Sequence, residues 1–68
     1  MKIRFVKDSE YTVSDSNGDV HDRVFRRWQE INVQDVVQVG GHHFTVVLPD
    51  GAEILDVRGD SFQVVDKT

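Results

Sequence analysis

Thirteen apolar side chains of this chain are valine, against two leucines and one alanine. No other feature narrows the fold so far. Helices are built mainly from unbranched side chains such as Ala, Leu, Glu and Lys, whereas β-branched and aromatic side chains pack well on a pleated surface. With three isoleucines and four phenylalanines added, the apolar set predicts an all-β protein. The pattern along the chain agrees. Ile3 and Phe5 alternate with Lys2 and Arg4, and Tyr11 and Val13 resume the alternation after Asp8-Ser9-Glu10. Val36 to Val39, His43 to Leu48, Glu53 to Val57 and Phe62 to Val65 read as further strands.

Turn residues separate these runs. Asn17-Gly18 between two alternating arms predicts a hairpin whose two central residues both take positive φ. Gly40-Gly41 marks a second hairpin, Leu48-Pro49-Asp50-Gly51 a turn with proline ahead of glycine, and Arg58-Gly59-Asp60 a last turn. Such signals at intervals of about 8–12 residues are those of a small sandwich or barrel. The chain has 68 residues and no cysteine, so residues 1–68 are expected to form one domain without disulfides. A domain this small buries only about 60% of its unfolded surface, and a closed barrel spends a limited apolar set economically. No apolar run approaches the roughly 20 residues of a membrane span, and the charges in Lys2, Arg4 and Lys7 interrupt any signal-like segment. The expectation is a soluble, cytoplasmic protein with no membrane association.

Residues 20–31 admit two readings. Val20, Val24, Trp28 and Ile31 share one face of a helix, with Asp19 as N-cap. Val20, Asp22 and Val24 also alternate as a strand, and the Asn17-Gly18 turn requires a strand on its far side. The strand, ended by a tight turn near Arg27-Trp28, is favoured; a short helix within 20–31 is the alternative.

The run Val39-Gly40-Gly41, then Phe44-Thr45-Val46-Val47-Leu48-Pro49-Asp50-Gly51, then Phe62-Gln63-Val64-Val65 resembles the strand–turn–strand layout of small SH3-like barrels, over residues 31–66. The chain as a whole is similar to short bacteriophage reading frames. The resemblance implies a small SH3-like barrel of about five to six antiparallel strands acting as a binding module, since folds of this kind host many functions.

No constellation for catalysis is evident. Asp15-x-Asn17-x-Asp19 begins like a calcium loop, but Val20 and Arg26 stand where such a loop needs glycine and a bidentate glutamate. His42 and His43 are adjacent and point to opposite faces of a strand, and His21 lies far from both in sequence, so no metal site is expected. Arg58-Gly59-Asp60 spells an adhesion tripeptide but reads as a turn. With no cysteine, no nucleophile elbow and no phosphate-binding glycine loop, neither an enzyme nor a cofactor is expected.

The densest recognition chemistry lies in Arg23-Val24-Phe25-Arg26-Arg27-Trp28. If Val20 and Val24 face the core, then His21, Arg23, Phe25 and Arg27 share the outer face, with Trp28 at the turn. Arg23, Phe25, Arg26, Arg27 and Trp28 are therefore the candidate partner-binding residues, because Arg and Trp concentrate in interface hot spots. Asp50, Glu53, Asp56 and Asp60 form a second candidate surface. Residues 1–28 carry six basic and five acidic side chains, residues 29–68 two basic and seven acidic. The net charge of −4 opposes long-range attraction to nucleic acid and favours approach to a basic protein surface. The expected function is a small regulatory or inhibitory module, a phage or prokaryotic accessory factor docking on a host protein such as a polymerase or nuclease. A nucleic-acid-binding barrel, with Lys2 and Arg4 joining the arginines, and a virion or assembly component that pairs through a strand edge are the alternatives.

Overall fold

The computed structural model describes residues 1–66. Among them the chain forms eight strands: β1 (Lys2–Phe5), β2 (Ser9–Ser14), β3 (Val20–Phe25), β4 (Glu30–Asn32), β5 (Asp35–Gly40), β6 (His43–Val47), β7 (Glu53–Arg58) and β8 (Phe62–Asp66), with a 3-10 turn over Gly59–Ser61. They make two antiparallel sheets, one ordered β4-β1-β8 and the other β3-β2-β7-β6-β5. The protein is all-β, and residues 20–31 hold two strands and a turn rather than a helix.

The strands outnumber the expected five to six because the chain changes sheet where the sequence shows only a break. After β1, the Val6 N–H donates to Ser61 O (2.9 Å), and Asp8 Oδ1 accepts from the Arg27 N–H (2.7 Å) before β2 begins in the other sheet. After β4, the Val33 N–H donates to Met1 O and the next residue's, Gln34, to Val47 O. Neighbouring residues thus satisfy their backbone groups on different sheets, as buried polar groups must.

The inner faces close on one core of Ile3, Phe5, Val13, Phe25, Val33, Val46, Ile54 and Val57. Phe5 and Phe25 stack with ring centroids 4.6 Å apart, and Tyr11 tilts against both. Burying each such ring removes large apolar area from water, worth about 1.5–3 kcal/mol. This stacking sets the facing of β3 and corrects the expected one. Phe25 is fully buried, while Val20 and Val24 are 62% and 44% exposed. Register confirms it: Val13 is buried and pairs with His21, and Tyr11 pairs with Arg23. His21, Arg23 and Phe25 therefore lie on the inward side and Val20, Asp22 and Val24 on the outward side. A strand has only these two settings, and burying one phenylalanine on Phe5 outweighs burying two valines at an edge.

The turns are largely as expected, with one difference. Gly18 takes φ 87°, but Asn17 does not take positive φ. The Gly18 N–H donates to Asp15 O and the Asp15 N–H to Asp19 O. This is a three-residue loop with glycine in the left-handed position rather than a two-residue one. Asp15 Oδ1 accepts from the N–H groups of Asn17 and Asp19 and so holds this loop. At the Leu48–Gly51 turn, Gly51 has φ 92° and Asp50 Oδ1 accepts from the Ala52 N–H.

Candidate functional site

Arg26 to Gln29 close β3 with a turn in which every backbone N–H is engaged. The Arg26 N–H donates to Gln29 Oε1, that of Arg27 to Asp8 Oδ1, that of Trp28 to Phe5 O (2.7 Å), and that of Gln29 to Arg26 O. Trp28 occupies the third position of this turn with φ 71°, where glycine or asparagine is usual. A bulky side chain in left-handed backbone costs of order 1–3 kcal/mol and persists only where its surroundings over-determine it; here four hydrogen bonds do so. Trp28 is 57% exposed. The Arg27 guanidinium lies 4.8 Å from the ring centroid of Trp28, and that of Arg23 5.0 Å from the ring of Phe25.

Of the first candidate set, Arg23, Arg26, Arg27 and Trp28 are exposed on or beside β3. Phe25 is not available to a partner: it belongs to the core and supports Arg23 from below. Lys2 and Arg4 do face outward, on the three-stranded sheet, but pair with Glu30. Arg4 Nε and a terminal nitrogen both donate to Glu30 Oε2, at 2.9 and 2.8 Å, and Lys2 Nζ lies 3.9 Å from Oε1.

The second candidate set is dispersed. Asp50 caps its turn and Glu53 lies exposed at the start of β7. Asp60 sits between Lys7 (3.3 Å) and Arg58 (3.6 Å). The hydrogen bond from Lys7, reinforced by the two positive charges, holds the Asp60 carboxyl below the usual Asp value. Asp56 has φ 55° at an irregularity in β7, and its Oδ1 lies 2.7 Å from His43 Nδ1, outside hydrogen-bonding geometry.

A shallow cleft of about 280 Å³ lies beside that irregularity, lined by Glu10, Tyr11, Thr12, His43, Leu55, Asp56 and Arg58 of β2, β6 and β7. Its hydroxyls are committed to the fold. Tyr11 donates to Ser61 Oγ (2.6 Å) and accepts from the Arg58 N–H, while Ser61 donates to Arg58 O. Residues 50 positions apart meet here, and no local spacing signals it. Among the described residues no three His, Cys, Asp or Glu side chains are grouped to hold a metal ion, and no helix is long and apolar enough to cross a membrane.

The free edges differ. Among the described residues four strands end a sheet: β3, β5, β4 and β8. β4 has three residues. β5 breaks register between Gln38 and Gly40, and β8 opposite Lys2 and Ile3. β3 alone runs six residues in unbroken register with its neighbour, exposed along its length until Phe25.

Comparison with protein-family models, with curated proteins and with solved structures finds no match.

Proposed function

We propose that this chain is a non-enzymatic protein-binding module that engages its partner through β3 and the Arg26–Gln29 turn. The observation that carries the reading is Trp28. Folding leaves its indole mostly in water and its backbone in a disfavoured region, while four hydrogen bonds hold it there. A rigid aromatic flanked by arginines loses little further freedom on binding and has the composition of an interface hot spot. In the setting that the resemblance to short phage reading frames implies, the chain is an accessory factor in the host cytoplasm acting on a host protein such as a polymerase or nuclease. Its net charge of −4 favours approach to a basic surface there.

The test is capture from bacterial lysate on the immobilised chain and on the Trp28→Gly variant, whose backbone suits glycine. A protein retained by the parent and lost by the variant supports the reading. Identical capture by both contradicts it.

The stacking of Arg27 on Trp28, with Arg23 and Arg26 nearby, favours one second reading, single-stranded nucleic acid with Trp28 stacking on a base. It requires oligonucleotide binding that weakens steeply with salt. No binding at low salt eliminates it.

A further inference from the structure

We infer that β3 is an open docking edge for an extended strand of a different protein, carrying a basic residue between apolar ones on its outward side and acidic residues on its inward side. The inference rests on the protein-binding reading and names the mode and chemistry of the partner.

The backbone comes first. The Asp15 N–H to Asp19 O bond fixes the phase of the β2–β3 ladder. In an antiparallel pair, hydrogen-bonded and non-hydrogen-bonded residue pairs alternate. Counting from Asp15 and Asp19 through the register Ser14–Val20, Val13–His21, Thr12–Asp22, Tyr11–Arg23 and Glu10–Val24, His21 and Arg23 bond to β2. Val20, Asp22 and Val24 then turn their N–H and C=O groups toward the free edge. The edge has no bulge and no proline to blunt it, unlike the ways exposed edges are usually protected.

The side chains decide what can pair there. A second copy joined antiparallel about a two-fold axis keeps outward side chains outward. The register that uses Val20, Asp22 and Val24 together sets Asp22 against Asp22 and His21 against Arg23. Sliding by one ladder step toward Phe25 sets Arg23 against Arg23. Like charges directly opposite destabilise a sheet, so these two registers oppose self-pairing. The same charges invite a different strand: a basic residue opposite Asp22, acidic residues opposite His21 and Arg23, and apolar residues opposite Val20 and Val24, both exposed. Main-chain bonds supply affinity in such strand addition and alternate side chains supply specificity. Trp28 and Arg27 stand at the end of the same edge.

The experiment uses the full chain, amide-resolved NMR and two blocked peptides, Thr-Val-Glu-Lys-Glu-Val-Thr and the same peptide with glutamate for lysine. With the lysine peptide, the Val20, Asp22 and Val24 amides are expected to shift and to slow in hydrogen exchange by about tenfold. The glutamate peptide is expected to bind about fivefold more weakly, and Asp22→Lys to reverse that preference. No response at millimolar lysine peptide, a response centred on β5 or β8, or equal response to both peptides overturns the inference. So does a parent dimer, seen by light scattering, whose β3 amides are protected. Loss of lysate capture in Trp28→Gly without any peptide response overturns strand addition alone and leaves the protein-binding reading standing.

Discussion

The two edges of the five-stranded sheet are of equal length and treated in opposite ways. β5 and β3 each have six residues, and both expose valines. β5 is made irregular. Its register shifts next to Gly40, Asp35 Oδ1 takes the Val36 N–H, and Gln38 Nε2 donates to Gly41 O. The register shift and the occupied Val36 N–H make it a poorer template. β3 keeps unbroken register and carries opposite charges at Asp22 and Arg23. A bulge rejects every strand, whereas a charge pattern rejects some and accepts others.

The largest expected effect breaks the comparison by releasing β3. Phe25 is its one buried side chain and stacks on Phe5. Phe25→Ala is expected to cost about 3–5 kcal/mol, measured by denaturant unfolding, with β3 amides losing protection ahead of β5.

The counterpart on the other side is Phe44, on β6 beside β5 and opposite Gln38, which packs edge-on against Phe62. Gly59 makes room for it: a Cβ there would come within 2.8 Å of the Phe44 ring. Gly59→Ala is expected to destabilise by about 1–3 kcal/mol, with β5 and β6 loosening and β3 unchanged in hydrogen exchange.

Trp28→Gly sharpens the contrast between a side chain kept for folding and one kept for display. The midpoint of unfolding is expected to hold or rise, since glycine relieves left-handed strain of order 1 kcal/mol. A fall comparable to that of Phe25→Ala would place Trp28 with the core.

The smallest effect belongs to neither edge. Because the Asp60 carboxyl titrates lower in the folded chain than in the unfolded one, its contribution is complete above the ordinary Asp value of about 3.9. It is lost as pH falls through the lowered folded value. Asp60→Asn is expected to flatten the acid limb of stability against pH and leave both exchange patterns untouched.

Much of the fold was legible because its signals are local. Gly18, Gly51 and Asp50 act within their own turns, and alternation marks each strand. The facing of β3 was not legible. It depends on Phe25 meeting Phe5, a ring brought close only by the change of sheet after β1. Nor was the openness of β3, since strand order is a property of the whole sheet. The arginine and tryptophan content marks the segment on which the proposal rests, but local spacing could not separate Phe25, which is buried in the core, from Trp28, which is exposed. The Tyr11–Ser61 node had no signal at all.

The most direct test of the account is amide hydrogen exchange along β3 in the parent chain. Alternation is expected: Val20, Asp22 and Val24 exchange freely, while His21 and Arg23 are protected by their bonds to β2. Uniform protection from Val20 to Val24 would mean that the edge is already covered and would contradict the claim that β3 is open.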